Sequence, residues 1–127
     1  MDANLIHKDE VFAIVGCAIN ILNGIGHGFH EKTYENALTV EFTHTGIPYE
    51  QQARFPITWR NIKVGEHIPD LIAYGLVIID LKTIERITDI ERGQMLNYLK
   101  VTGHQIGLIL NFKHSKLNWE RVVLSKQ

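Results

Sequence analysis

The chain contains little cysteine, no surplus of charge and no long apolar run. One cysteine, Cys17, stands in 127 residues. It has no internal disulfide partner, and a reducing, cytoplasmic setting is the expectation. No apolar run approaches the roughly 18 residues that span a bilayer. The run Leu76 to Ile79 ends in Asp80, and no membrane partner is expected. The first ten residues lack the basic-then-apolar order of a secretory signal. Thirteen Lys and Arg stand against 14 Asp and Glu, a net charge of -1. Dedicated nucleic-acid binders are usually basic because phosphate contacts need cations, so this balance argues against tight non-specific binding to DNA. An acidic metal site would offset some basic residues in that count. Among the seven histidines, His27 and His30 flank Glu31, yet there is no HExxH spacing and no cysteine pair, which excludes the usual zinc patterns. The Gly-Ile-Gly-His-Gly stretch at 24–28 lacks a preceding strand and a Walker lysine, so it is no phosphate loop. Repeats, low-complexity stretches and like-charge blocks are missing too.

Hydrophobic residues make up 45% of the chain and charged residues 21%, enough for one core and one domain over residues 1–127. Residues 9–23 read as a helix, with Val11, Phe12, Val15, Ala18, Ile19 and Leu22 at helical spacing. After the glycine break, a second helix is predicted from about Phe29 to Thr45, ending at Gly46. Three strands follow: 49–59 with an edge or bulge at Pro56, 62–74 with a bend near Gly65, and 76–83. The Arg60-Asn61 step makes the first turn, and the third strand is apolar enough to be central. Thr88 and Glu91 form a capping-box pattern. The helix it starts should end at Gly103 and turn Ile90, Met95, Leu99 and Tyr98 inward. Residues 106–112 and 117–123 complete the order α, α, β, β, β, α, β, β.

Chemistry concentrates on the third strand. Asp80 and Lys82 are two apart and share a strand face, and Asp80 interrupts a run of aliphatic residues. A carboxylate in that setting is costly unless compensated. Asp70 and Asp80 lie symmetrically about Gly75. If Tyr74-Gly75-Leu76 is a three-residue hairpin loop with a left-handed glycine, the two acids oppose each other with Cβ atoms about 4.5–5.5 Å apart. Like charges that close repel, and a divalent cation would resolve the conflict. A salt bridge from Lys82 to one acid accounts for these three residues equally well. Glu31 could be held beside the sheet at a helix start, or could simply face the helix dipole. Gln94 and Tyr98, at i and i+4, share a helix face.

Gly28 to Tyr34 (Gly-Phe-His-Glu-Lys-Thr-Tyr), Pro69-Asp70, Asp80-Leu81-Lys82 and Gln94 to Tyr98 (Gln-Met-Leu-Asn-Tyr) together resemble, in order, the motifs of the GxxExxY protein family. The resemblance extends from about Ile6 to Val123. It implies a PD-(D/E)XK, restriction-endonuclease-like α/β core (α-β-β-β-α-β) with an extra N-terminal helix and an extra C-terminal strand. It also implies a Mg²⁺- or Mn²⁺-dependent nuclease acting on DNA or RNA. Asp70 and Asp80 would bind the metal with the Leu81 carbonyl, and Glu31 would complete the shell. Lys82 would orient or activate the water, Gln94 would support the site and Tyr98 would flank it. Many relatives carry Glu where this chain has Asp80, and the shorter side chain would draw the metal toward the strand. Arg54, Arg60, Lys63, Arg92 and Lys100 are candidate phosphate contacts, and a homodimer would double the contact surface. The alternatives are a nuclease-fold nucleic-acid-binding or regulatory module with little or no turnover, and metal-dependent chemistry on another phosphate compound.

Overall fold

The computed structural model describes residues 6–125. Three helices, α1 (Lys8–Ile25), α2 (Glu31–Thr45) and α3 (Asp89–Thr102), flank seven strands: β1 (Tyr49–Gln51), β2 (Phe55–Trp59), β3 (Ile62–His67), β4 (Leu71–Ala73), β5 (Val77–Lys82), β6 (Ile106–Asn111) and β7 (Asn118–Val123). Five strands form one sheet in the order β1-β4-β5-β6-β7, and β2 with β3 forms a separate two-stranded arm. The β5–β6 pairing is parallel, with α3 as its crossover, and the other pairings are antiparallel. One core layer lies under α1 and α2, and the second lies between the sheet and α3. β5 is the middle strand, and only its Asp80 and Lys82 escape full burial.

The helices follow their sequence signals. α3 begins with a complete capping box between Thr88 and Glu91, and ends at Gly103 with φ 75°. α2 ends at Gly46 in the same left-handed conformation. Two apolar positions depart from expectation. Phe12 is 81% exposed and Ile19 also faces solvent, while Ile14 and Ile21 take inward places on α1. The buried stripe Val11, Ile14, Val15, Ala18 and Leu22 is a full i, i+3, i+4, i+7 series, and Phe12 lies about 100° round from it. Ile90 is exposed for a related reason: five residues from Met95, it sits about 140° round from the buried Met95–Leu99 line.

Two expected strands are each two. The 49–59 segment breaks after Gln51, where Gln52 takes a left-handed φ of 61°. The 62–74 segment breaks at 68–70, around Pro69, which has no N–H to give a ladder. The irregularity expected near Gly65 is a register shift beside it: Ile57 pairs with Gly65 and Thr58 with Lys63, which leaves Val64 as the extra residue, and the Ile57 side chain lies across Gly65. The core order is therefore α2-β1-β4-β5-α3-β6, with the β2–β3 arm inserted between β1 and β4. Arg60 and Asn61, both with positive φ, make its two-residue turn.

Gly107 on β6 lets α3 approach the sheet. A Cβ there would overlap Met95 Sδ and come within 2.9 Å of Met95 Cγ. Gly107→Ala should cost about 1–3 kcal/mol through overpacking. Combined with Met95→Ala, the double variant should lose less than the sum of the single losses, as measured by urea unfolding. Strict additivity would show that this contact does not set the helix–sheet distance.

Candidate active site

The site begins with one hairpin. β4 and β5 pair Leu71 with Ile79 and Ala73 with Val77, closing on Tyr74-Gly75-Leu76. Gly75 takes φ 65° and Tyr74 φ 59°, so two consecutive residues are left-handed where the sequence suggested one. The same register, extended one step, sets Asp70 opposite Asp80. Their carboxyl groups are near enough to perturb each other's ionisation, and Asp70 Oδ2 accepts the Leu81 N–H at 2.9 Å. Lys82 Nζ lies 3.5 Å from Asp80 Oδ2.

The electrostatics follow from this crowding. Burial and then the neighbouring Asp70 charge push the Asp80 carboxyl up to about 7, with Lys82 pulling the other way. Burial also raises Asp70, against the stabilising Leu81 N–H; the charges of Glu35 and Glu31 raise it further. Burial disfavours the Lys82 ammonium, yet Asp80, Tyr98 and Glu31 raise its pKa above the usual lysine value. The two aspartates thus interact strongly, and each disfavours ionisation of the other.

Glu31 is the first residue of α2, and its Oε2 accepts from Thr83 N at 3.3 Å and from Thr83 Oγ1 at 3.5 Å. It therefore reaches the end of β5 from the helix, one residue beyond Lys82. Tyr34 explains why the helix starts there. Its hydroxyl donates to Gly26 O at 2.7 Å and accepts from Phe29 N at 3.2 Å, while its ring stacks on Phe112 at 4.5 Å. The glycine loop is thereby pinned to the core just before Glu31. On the far side of β5, buried Asn111 clamps Ile84 through both its N–H and its carbonyl, at 3.1 and 2.8 Å.

Tyr98 forms a wall of the cleft. Its ring stacks on His67 with centroids 3.9 Å apart, and both line a cleft of about 260 Å³ with Asp70 and Asp80. Gln94, one turn earlier, is exposed and is not among the residues lining that cleft. Two site residues had not been picked out from the sequence. His67 sits three residues before Asp70; its Nε2 is buried without a partner among the described residues, and burial lowers its pKa. Glu35 is buried beside Asp70 and accepts from Gln51, Gln52 and Lys32. Those hydrogen bonds overcome burial and lower its pKa. Its i+4 relation to Glu31 is the signal that could have found it. Among the phosphate-contact candidates, Arg92 is locked to Glu120 by contacts of 2.6 and 2.7 Å. Arg54 and Lys63 both pair with Glu66.

Among the described residues, no group of three or more His, Cys, Asp or Glu side chains is placed to hold a metal ion. The donor set still fits a hard divalent cation. Two half-buried carboxylates whose joint ionisation is disfavoured without one present only oxygen, and Mg²⁺ commonly takes one or two carboxylates, with water and phosphate completing its shell. Among the described residues no helix is long and apolar enough to cross a membrane. A family model described as the PD-(D/E)XK nuclease superfamily matches residues 8–122. No curated protein and no solved structure matches the chain.

Without metal, the folded state holds a proton on Asp80 that the unfolded chain releases near 3.8. Stability should therefore fall as pH rises from about 4 to about 7. Asp80→Asn should flatten that slope, leaving the part due to Asp70, and raise stability at pH 8 by on the order of 2 kcal/mol, because each pKa unit is worth about 1.4 kcal/mol and the loss of the Lys82 pairing offsets part of the gain. Added Mn²⁺ should stabilise the wild type and not the variant. Denaturant titrations at pH 5 and pH 8 give the answer, and a wild-type stability that does not fall between them would remove the repulsion from the account.

Proposed function

The chain belongs to the PD-(D/E)XK nuclease superfamily, and from that premise we propose that it is a divalent-metal-dependent phosphodiesterase that hydrolyses DNA or RNA. The observation that carries this reading is the Asp70–Asp80 carboxyl pair with Lys82 Nζ 3.5 Å from Asp80. PD-(D/E)XK nucleases generally use divalent metals; Mg²⁺ or Mn²⁺ is the ion proposed for this chain. The narrower kinship with the GxxExxY family belongs to the same proposal, supported by the way Tyr34 pins the loop that presents Glu31.

Asp70 and Asp80 would hold the ion, with the Leu81 carbonyl as a third ligand and Glu31 completing the shell directly or through water. An ion held there would supply charge able to polarise the scissile phosphate and acidify a water. Lys82 donates hydrogen bonds to the attacking water or to the phosphoryl oxygen that gains charge. Tyr98, stacked on His67, would shape the wall against which the sugar–phosphate chain lies, and Gln94, outside the cleft lining, would support that edge from the preceding helical turn. The lone cysteine, buried and free, suits the cytoplasmic location proposed with this activity.

A second reading has its own support. Glu31 is turned to Thr83, so the described residues assemble only two acids around the candidate ion. A nucleic-acid-binding or regulatory module with little turnover would need no more than that. Turnover on single- and double-stranded substrates in Mg²⁺ and Mn²⁺ separates the readings, since a nuclease cleaves and a binder only retards.

Lys82→Ala should lower the cleavage rate about 10²–10³-fold, the scale of a lost oxyanion donor, while leaving Mn²⁺ affinity nearly intact, because a charged lysine cannot ligate a cation. Asp80→Ala should lose both. Cleavage assays paired with calorimetric Mn²⁺ titration test this. A fully active Lys82→Ala variant would exclude the site as the catalyst, and a wild type that cuts nothing would favour the binding module.

A further inference from the structure

The β2–β3 arm has a face that belongs to no core. Phe55, Ile57 and Trp59 alternate along one side of β2, opposite His67, Gly65 and Ile62. At its base this face is docked: His67 stacks on Tyr98, and Phe55 packs edge-on against His104 with centroids 6.2 Å apart. Farther out it runs past α3 into solvent. Trp59 is 68% exposed and its cross-strand partner Ile62 is 67% exposed. At about 3.3 Å per residue, Trp59 projects roughly 13 Å beyond Phe55. Arg60 sits over the Trp59 ring at 5.8 Å and makes no ion pair among the described residues, whereas Arg54 and Lys63 on the arm both pair with Glu66.

We infer that this arm is a stacking platform for unpaired bases, which makes single-stranded nucleic acid the preferred substrate class. The inference rests on the nucleic-acid reading above and adds to it the strandedness. Continuity with the cleft identifies the occupant. β3 ends at His67, a wall of the cleft that holds Asp70 and Asp80, so a chain leaving the cleft along the arm meets Ile57, then Trp59 with Arg60. Charge bears on how such a strand would be held. A net charge of -1 gives little counterion-release affinity, so binding must draw on something other than phosphate contacts. Base–aromatic stacking is sequence-tolerant and needs exposed rings with a cation beside them, which is what the arm tip presents. Stacked bases of a duplex do not offer their faces to such a ring, whereas splayed bases of a single strand do.

The test reads binding rather than cleavage. In a Trp119→Phe background, Trp59 is the one remaining tryptophan. Its fluorescence is titrated with single-stranded DNA, single-stranded RNA and a blunt duplex in EDTA, with anisotropy of labelled strands measured in parallel. Both single strands should quench Trp59 and bind more tightly than the duplex. Trp59→Ala should weaken single-strand binding at least about fivefold, the low end for one lost base stack, and Trp59→Phe should retain most of it. Strand binding by anisotropy without quenching, or with unchanged affinity in Trp59→Ala, overturns the platform and leaves the nuclease reading standing. No binding of any nucleic acid overturns both. A concentration-dependent dimer dissolved by Trp59→Ala in sedimentation would assign the face to a second copy instead.

Discussion

Two carboxylates held against each other in a half-dry site are the constraint around which the functional end of this fold is arranged. Asp70 and Asp80 are opposed by the register of a hairpin whose three-residue loop contains two left-handed residues. Alone, that arrangement is unfavourable: burial and mutual repulsion lift the Asp80 carboxyl to about 7. The surrounding chain offsets the cost with a backbone N–H from Leu81 and an ammonium from Lys82. It does not remove it. A site that retains an unfavourable interaction when empty gains more from a cation than a satisfied one would, and local destabilisation of this kind is common where binding and catalysis occur.

The rest of the architecture holds that pair in place. β5 is central, so Asp80 and Lys82 ride on the strand with neighbours on both edges. Buried Asn111 clamps the chain just beyond Lys82. Tyr34 fixes the loop that delivers Glu31 to Thr83. Glu35, neutralised by Lys32 and hydrogen-bonded by two glutamines, adds a further acid behind Asp70. Tyr98 and His67 close the other wall and join the cleft to the β2–β3 arm, so the outlying arm is mechanically tied to the site.

Much of this was legible from residue order. Symmetry about Gly75 predicted the opposition of Asp70 and Asp80, because an antiparallel register is an arithmetic of sequence positions once the loop length is known. The capping box at Thr88 and the glycines at 46 and 103 marked helix ends, because end signals act within a turn of the chain. The same local reasoning turned Phe12, Ile19 and Ile90 inward. Apolar character says that a residue can be buried, and only the placement of neighbouring layers says which of two adjacent apolar stripes is covered.

The sequence by itself determined the class of the fold, the order of its core elements and the carboxylate–lysine cluster on the central strand, since each follows from periodicity, turn chemistry or two-residue spacing. Tertiary structure alone decided the rest. It split two apparent strands to make the β2–β3 arm, because a chain leaves a sheet where its partner ends and not where its own composition changes. It also brought His67 and Glu35 to the site and sent Glu31 to Thr83. Contacts between residues distant in the chain depend on how the layers pack, and no local pattern encodes that.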